Sequence, residues 1–336
     1  MIICKTPLRI SYFGGGTDFP SWYKKNNGQV ISSSIDKYCY LMIRNLPPFF
    51  HFNYRIRYFK SEFTKKISEI NHPSIREAIK KYHKNKSGLE IIHSSDLPSQ
   101  SGLGSSSAFS VCLVKGLKKL NGVNENNKKV ALETIHFEQN ILGEKVGSQD
   151  QYACAVGGFN IIKFGKKINH QKIKINNSKI KKLERLSSLF FVGFPRNAQL
   201  IEEDKIKNLN NKKKIYKQIF AISNDAKKLI TSKSNNRFMN DFNNLMLENW
   251  NLKKNLSNYV SNNFIDEIYD FALKSGAESG KILGAGAGGF MLFISKDAKS
   301  KKKLIKELEP KIKHVDFKFD DAGSSIIFDK RNDIFN

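Results

Sequence analysis

The sequence has few cysteines and no long apolar run. The four cysteines, Cys4, Cys39, Cys112 and Cys154, are scattered without C-x-x-C spacing, so they predict neither a disulfide framework nor a zinc site. No stretch approaches the ~18 uninterrupted apolar residues of a membrane span, and the opening MIICKTPLRI lacks a basic region followed by an apolar core. We therefore expect a soluble, cytoplasmic protein with buried free thiols and no membrane partner.

Arginine is also scarce. Only nine of the 57 basic residues are arginine, and the formal net charge of +26 comes mainly from lysines interspersed with asparagine and isoleucine. No zinc-finger spacing and no aromatic RNA-binding signature accompanies this charge. We predict no specific nucleic-acid partner. The lysines are instead expected to form a solvated surface, whose positive field favours the capture of phosphorylated ligands.

The rest of the composition is that of a folded protein. The chain has 336 residues, of which 40% are hydrophobic and 11% aromatic, enough for two domains and a sizeable core. Alternating apolar runs and helical periodicities predict an α+β fold. The lysine-rich segment 165–183, with or without an edge strand inside it, is the candidate boundary between domains 1–170 and 171–336. The predicted strands are 30–46, 52–59, 89–93, 157–164, 187–194 and 290–294, and the predicted helices are 72–85, 105–120, 124–142, 211–232, 235–256, 265–275 and 298–308.

The stretch LPSQSGLGSSSAF, residues 97–109, joins a predicted strand to a predicted helix and is dominated by glycine and serine. It lacks the lysine of a nucleotide P-loop, G-x-x-x-x-G-K-[ST]. Glycine still lets the backbone approach a ligand closely, and a following helix offers unpaired N–H groups and the positive end of its dipole to an anion. The stretch predicts either a phosphate-binding loop or a capped helix start after a flexible turn.

Three carboxylates lie in places that suit chemistry. Asp18 follows three glycines in TPLRISYFGGGTDFP, which indicates either close approach of a ligand or a bulged turn. Glu138 shares a predicted helix face with apolar residues, where a carboxylate is usually paired or bound to a metal. A structural ion pair is the alternative there. Asp150 lies in a glycine-punctuated loop and by itself indicates only a turn.

A late stretch, KILGAGAGGFMLFI, satisfies G-x-G-x-x-G at Gly284, Gly286 and Gly289. That dinucleotide fingerprint opens a helix after a strand, whereas here a strand follows, so we reject a Rossmann site. We predict a close-packed glycine turn that lines a ligand cavity.

Together, PLRISYFGGGTD, PSQSGLGSSSAF and ILGAGAGGF resemble, in order, the three motifs of the GHMP small-molecule kinases, the superfamily of galactokinase, homoserine kinase, mevalonate kinase and phosphomevalonate kinase. The resemblance covers most of the chain. It implies an N-terminal ribosomal-protein-like α+β domain, a C-terminal ferredoxin-like domain and an active site between them. It also implies ATP as the phosphoryl donor, with Mg²⁺.

The resemblance further implies a role for each motif residue. Glu138 and a loop serine would bind magnesium; the serine is Ser106, with Ser105 or Ser107 left open by a one-residue ambiguity. Asp150 would face the acceptor hydroxyl as general base, and Arg9 would pair with Asp150. The residues implied to wrap the ATP phosphates are Ser101, Gly102, Leu103, Gly104, Ser105, Ser106 and Ser107.

The acceptor is the least determined part. Gly15 and Gly16 stand where galactokinase carries a glutamate and a histidine, and the motif wording most resembles bacterial D-glycero-D-manno-heptose 7-phosphate kinases and their fucokinase-like relatives. We expect a sugar or sugar-phosphate acceptor, first of all that heptose phosphate at its anomeric hydroxyl, with a fucokinase- or galactokinase-like sugar 1-kinase as the alternative. The sequence leaves a monomer and a homodimer open. The residues implied to bind the acceptor are Gly15, Gly16, Thr17, Asp18, Gly286 and Gly288.

Overall fold

The computed structural model describes residues 1–84, 87–194, 198–233 and 236–330. Residues 85 and 235, each at one end of a predicted helix, and residues 331–336 of the predicted second domain lie outside these ranges. Two β-sheets covered by helices make up the described chain. No helix in these ranges combines the length and apolarity that crossing a membrane requires.

The elements are numbered along the described chain. The strands are β1 (Ile2–Phe13), β2 (Gly28–Asn45), β3 (Tyr54–Arg57), β4 (Ser61–Thr64), β5 (Leu89–Ser95), β6 (Phe159–Phe164), β7 (Asn169–Ile173), β8 (Ser187–Phe191), β9 (Ala277–Ile282), β10 (Phe290–Ser295), β11 (Lys313–Val315) and β12 (Ser325–Asp329). The helices are α1 (Pro20–Tyr23), α2 (Pro73–Tyr82), α3 (Ser105–Leu120), α4 (Asn127–His136), α5 (Gln149–Val156), α6 (Ser178–Leu186), α7 (Ala198–Lys207), α8 (Lys213–Thr231), α9 (Phe238–Lys254), α10 (Asn263–Lys274) and α11 (Ala298–Leu308).

The first sheet is built around β1 and β2, whose side chains are buried along most of their length. Its order is β12-β1-β2-β5-β3-β4, and β6 and β7 extend it from β2. One edge of β2 pairs with β1, while the other pairs with β6 through residues 28–33 and with β5 through residues 39–45. Helix α3 packs on β1 and β2 and places its N-terminus beside the middle of β1.

The second sheet is smaller and antiparallel, with the order β11-β8-β10-β9. Its inner strand β10 is buried throughout, because α11 packs against it and the neighbouring strands flank it. Strands β9 and β10 are joined by the late glycine turn, residues 283–289. Helix α9 bridges the two sheets, since the Phe242 ring packs edge-on against Phe13 of β1 at a centroid distance of 5.0 Å and the helix also lies on β9. The cavity described below therefore has walls from both halves of the chain.

Two strands bear on the predicted domain division. Strand β7 pairs with β6 at an edge of the first sheet, so the edge strand left open in the sequence is present and the cut after residue 170 falls inside it. Strand β12, from the predicted second domain, returns to pair with β1. The division into 1–170 and 171–336 stays a prediction.

Several elements differ from the sequence expectation. The predicted helix 124–142 begins at Asn127 and ends in a π-helical turn, Phe137–Ile141, in which the Leu142 N–H donates to the Phe137 carbonyl at 3.0 Å. The predicted strand 52–59 ends early because the Tyr58 N–H and the Lys60 carbonyl close a turn into β4. Helices α1, α5, α6 and α7 and strands β4 and β9 were not predicted, and α5 replaces the loop expected around Asp150.

Candidate active site

The glycine-serine loop lies at the mouth of a cavity of about 220 Å³. Gly102 and Gly104 have φ angles of +79° and +74°, a region that favours glycine, and these turns bring the chain directly into α3. Gly104 is the N-cap of α3 and no side chain caps this end. The first backbone N–H groups of the helix are therefore left to an external acceptor, as an anion site requires.

The late glycine turn packs directly against this loop. A Cβ placed on Gly284 would lie 2.5 Å from the Gly102 Cα, and the Phe290 N–H donates to the Ser101 carbonyl at 3.1 Å. Such backbone-to-backbone packing explains why both segments are rich in glycine. It also joins the first half of the chain to the second at the cavity wall.

Arg9 links the loop to Asp150. The guanidinium of Arg9 is buried on β1 and binds Asp150 through two hydrogen bonds, Nε to Oδ1 at 2.8 Å and Nη2 to Oδ2 at 2.6 Å. Its Nη1 donates to the Gly102 carbonyl at 2.7 Å, and its backbone N–H donates to the Leu103 carbonyl. Burial opposes the charge of Arg9, but the charge and hydrogen bonds of Asp150, together with Cys154 and Asp18, outweigh burial and raise the pKa of Arg9.

Asp150 itself stays accessible. It lies in the first turn of α5, its side chain is 27% exposed, and it lines the cavity. A fixed, bidentate cation beside an accessible carboxylate is an arrangement that orients this carboxylate towards a bound molecule.

Glu138 is buried in the π-helical turn and lines the same cavity. Its Oε2 accepts hydrogen bonds from the Ser107 hydroxyl, at 3.1 Å, and from the Gln151 amide. Its Oε1 is buried without a hydrogen-bond partner among the described residues. Burial raises the pKa of Glu138 to about 7, while the Gln151 and Ser110 side chains act in the opposite direction.

These groups fit a magnesium ion. Mg²⁺ takes oxygen ligands and is commonly held by one or two protein oxygens together with substrate phosphates and water. The unpartnered Oε1 of Glu138 is an oxygen of this kind, and the exposed hydroxyl of Ser106, which lines the cavity, would be a second ligand. Within the described ranges, no cluster of three or more His, Cys, Asp or Glu could hold a metal by itself. The structure also places the Ser107 hydroxyl, rather than that of Ser106, in contact with Glu138.

Asp18 lines the cavity beside the first glycine turn. It is buried, and its carboxylate accepts backbone N–H groups from Gly16 at 2.9 Å and from Gln149 at 3.3 Å. These bonds tie the first glycine turn to the start of the helix that carries Asp150. Burial, and then repulsion by Asp150, raises the pKa of Asp18 to about 6.

Most of the predicted site residues come together in this cavity, but five of them, three here and two in the late glycine turn, do not line it. Thr17 is fully buried, and its hydroxyl donates to the carbonyls of Gly14 and Gln29. Ser101 and Leu103 are buried and contribute carbonyl groups that hold the loop. The predicted site residues that line the cavity are Arg9, Gly15, Gly16, Asp18, Gly102, Gly104, Ser105, Ser106, Ser107, Glu138 and Asp150.

The late glycine turn also needs a correction. Gly284 and Ala285 line the cavity, whereas Gly286 and Gly288 do not. The reason is that this part of the turn bends away, and the Ala287 N–H donates to the Val260 carbonyl at 2.9 Å. The turn thus contributes Gly284 and Ala285, which precede both predicted glycines.

Sequence reasoning missed three buried lysines, Lys205, Lys253 and Lys281, that line the cavity. The prediction of a solvated lysine surface is wrong for these three. A signal existed for Lys253, because it continues the buried face of α9 three residues after Trp250. For Lys281 the signal was a lysine inside a short apolar strand before the late glycine turn.

Comparison with known proteins agrees with this geometry. Residues 73–158 match the family model of the GHMP kinases N terminal domain, and residues 228–312 match that of the GHMP kinases C terminal. A crystal structure of a D-glycero-D-manno-heptose 1-phosphate kinase from Bacteroides thetaiotaomicron covers 98% of this chain with a TM-score of 0.77 and 22% identity, and all of that chain is matched. At that identity the likeness shows the fold, which is the two-domain α+β fold of the GHMP kinases.

Two curated relatives extend along nearly the whole chain. The D-glycero-alpha-D-manno-heptose 7-phosphate kinase of Campylobacter jejuni is 33% identical over 95% of this chain and 96% of its own. The bifunctional fucokinase/GDP-fucose pyrophosphorylase of Arabidopsis thaliana is 27% identical over 93% of this chain, which spans 31% of that protein. With both family models matched in order and a full-length relative at this identity, the chain belongs to the GHMP kinases and is a sugar kinase of that family.

Proposed function

We propose that this sugar kinase transfers the γ-phosphoryl group of ATP to the anomeric hydroxyl of D-glycero-D-manno-heptose 7-phosphate. The observation that carries the proposal is the position of Arg9, whose guanidinium holds both the Gly102 carbonyl of the phosphate loop and the Asp150 carboxylate. One residue thereby fixes the distance between the part of the cavity that suits a phosphate and the part that suits an acceptor.

At the donor end, the uncapped N-terminus of α3 provides N–H groups for the phosphates of ATP. Glu138 and Ser106 would hold magnesium, which, when bound, neutralises charge on the phosphates and on the leaving group. Ser107 and Gln151 fix the Glu138 carboxylate by hydrogen bonds to Oε2, so that Oε1 is the oxygen left for the ion.

At the acceptor end, Asp150 accepts the proton of the anomeric hydroxyl as the new O–P bond forms and the bond from the γ-phosphorus to the ADP oxygen breaks. Each Asp150 oxygen keeps a lone pair beyond its bond to Arg9, because a carboxylate oxygen accepts more than one hydrogen bond. Arg9 keeps Asp150 oriented, and its charge favours the negative charge that develops on the acceptor oxygen.

The acceptor identity is supported by the 33% identity with the Campylobacter jejuni heptose 7-phosphate kinase over 95% of this chain. It is also supported by the first turn, where Gly15 and Gly16 leave the cavity wall free of side chains while Asp18 presents a carboxylate. Carboxylates are common acceptors for sugar hydroxyls, because an ionised carboxylate only accepts hydrogen bonds.

The test is a kinase assay with ATP and magnesium against D-glycero-D-manno-heptose 7-phosphate, unphosphorylated heptose, fucose, galactose and mevalonate. We expect the heptose phosphate to give the highest kcat/KM, and phosphorus–proton coupling in the NMR spectrum of the product to place the new phosphate on the anomeric carbon. A higher kcat/KM for fucose or galactose would contradict the acceptor, and a product phosphorylated elsewhere would contradict the position.

A further inference from the structure

Three buried lysines line the cavity. Lys205 comes from α7, Lys253 from the end of α9 and Lys281 from β9, and at most 9% of each residue is exposed. All three line the same cavity as Asp18 and Arg9. Two helices and one strand that are distant in sequence thus each place a lysine at the same cavity.

The cluster adjoins the first glycine turn. The side chains of Tyr216 and Leu256 lie against Gly16. The Tyr216 hydroxyl donates to the Lys205 carbonyl at 3.4 Å, and the Leu256 N–H donates to the Lys253 carbonyl at 3.1 Å. The backbones of Lys205 and Lys253 therefore adjoin the first glycine turn, while their ammonium groups reach the late glycine turn, so that the lysines lie between these two segments.

Each ammonium group retains hydrogen-bonding capacity. Lys253 donates to the carbonyls of Ile282 and Gly284 at 2.7 and 2.8 Å, Lys281 to that of Tyr12 at 2.8 Å, and Lys205 to Glu202 and the Ala285 carbonyl. An ammonium group has three N–H donors. These bonds leave one donor on Lys253, two on Lys281 and one on Lys205, which together suit the oxygens of a single phosphate group.

The charges are also unbalanced. Arg9 pairs with Asp150, and Lys205 pairs with Glu202 at 3.2 Å. Lys253 and Lys281 form no ion pair with any carboxylate that the structure describes, since their partners are backbone carbonyls. Burial, followed by neighbouring cations, lowers the pKa of Lys253 and lowers that of Lys281 to about 7. A buried cation without a counterion is costly, and a bound anion removes that cost.

We propose that Lys205, Lys253 and Lys281 form the subsite for a phosphate group that the acceptor already carries, distinct from the phosphoryl group that is transferred. This inference rests on the proposed function, in which the acceptor is a sugar phosphate. It assigns the choice of a phosphorylated over an unphosphorylated sugar to these lysines. A site built for a charged group leaves its own donors unpaired when that group is missing, which produces strong discrimination.

The experiment compares Lys281→Met and Lys253→Met with the wild type. Lys254→Met is the matched control, because Lys254 follows Lys253 on the same helix but points to the surface, where it pairs with Asp266. Calorimetry without ATP measures the binding of heptose 7-phosphate, unphosphorylated heptose and mannose 6-phosphate, and circular dichroism checks the fold. Lys281→Met is the cleaner variant, since Lys281 makes a single bond to the backbone.

In the wild type, we expect both sugar phosphates to bind more tightly than free heptose. Each lysine variant should reduce the ratio of phosphorylated to free heptose affinity by about 10- to 100-fold, the effect of losing a hydrogen bond to a charged group. The control should keep the wild-type ratio. An unchanged ratio in a folded Lys281→Met protein, or no preference for sugar phosphates in the wild type, would overturn the inference.

Failure of the proposed function would give a different pattern. If sugar phosphates bind through these lysines but heptose 7-phosphate receives no phosphoryl group, the subsite stands and the acceptor is wrong. If the lysine variants instead weaken ATP binding and keep the preference for sugar phosphates, the cluster serves the donor and the inference fails.

Discussion

In the proposed function, the two ends of the cavity would recognise negative charge in opposite ways. At the donor end, the loop around Gly102 and Gly104 offers backbone N–H groups at the start of α3. At the acceptor end, Lys253 and Lys281 offer buried ammonium groups. Backbone amides carry no full charge and need no counterion, whereas desolvated ammonium groups are destabilising until an anion binds. The donor end is thus complete before its ligand arrives, and the acceptor end is completed by its ligand.

The largest effect is expected at Asp150, which Arg9 connects to the phosphate loop. Asp150→Asn removes the proton acceptor but keeps the shape of the side chain, so we expect kcat to fall by about 100- to 10 000-fold, the contribution of a positioned base. ATP affinity should stay near the wild-type value, because Asp150 faces the acceptor. Steady-state kinetics and nucleotide binding measure the two quantities.

The matched control is Asp241→Asn, which replaces an exposed carboxylate in the first turn of α9 and should leave kcat unchanged. Wild-type turnover in a folded Asp150→Asn protein would exclude the residue as an essential base.

The second prediction concerns the contact between the late glycine turn and the phosphate loop. In Gly284→Ala the new Cβ would lie 2.5 Å from the Gly102 Cα, and Gly284 has a φ of +64°. We expect the free energy of unfolding to fall by about 3 kcal/mol, because backbone strain and overlap add. Gly143→Ala is the control, since Gly143 has a φ of +70° but no atom within 4 Å of an added Cβ. Gly143→Ala should lower the free energy of unfolding by only about 1 kcal/mol, from backbone strain alone. Urea denaturation measures both free energies of unfolding. Equal losses in the two variants would show that the packing of Gly284 on Gly102 does not contribute to stability.

The donor end alone is altered by Glu138→Gln. This change removes the negative charge of the carboxylate that would bind magnesium, so we expect the magnesium concentration for half-maximal activity to rise by about 10- to 100-fold. A magnesium titration at saturating ATP measures it. Glu133→Gln, on the preceding helix, replaces a carboxylate that pairs with Lys118 and should leave the titration curve unmoved. An unshifted curve for Glu138→Gln would remove this residue from the magnesium site.

The smallest effect concerns Asp18 at the acceptor end. Its folded pKa of about 6 lies above the ordinary value of 3.8, so the protonated form favours folding and this stability is lost as pH rises through about 6. Asp18→Asn removes the titration. Between about pH 5 and pH 7.5 the wild type should lose about 1 kcal/mol of unfolding free energy relative to the variant. Urea denaturation of both proteins at the two pH values measures this, and parallel pH profiles would contradict the raised pKa.

The donor end was readable from the sequence because its chemistry is local. Glycine and serine before an apolar helical pattern predict a turn that leads into a helix. Helix α3 covers residues 105–120 as predicted. Glu138 was found because a carboxylate interrupts an apolar helix face. The π-helical turn that carries it was missed, because its one-residue insertion does not alter the local pattern of residue types.

The lysines of the acceptor end could not be predicted from the sequence, because they come together only in the folded chain. Lys205, Lys253 and Lys281 lie in three separate elements, and the local signals at Lys253 and Lys281 indicate burial but not a shared cavity. Only the packing of α7, α9 and β9 around one cavity brings them together. The same limit affected Gly286 and Thr17, which were predicted from motif positions but whose contacts in the folded chain keep them out of the cavity lining.

The pairing of β1 with β12 has a consequence for the timing of folding. Ile2 lies opposite Asp329 and Lys5 opposite Ser325, so the strand that carries Arg9 gains its outer neighbour only when almost all of the described chain has left the ribosome. Contacts between such distant residues form slowly, since a long loop must first be closed. Until then one edge of β1 remains open to strands of other molecules. The late arrival of β12 therefore leaves residues 2–5 of β1 as an unpaired strand edge for most of the synthesis of the chain.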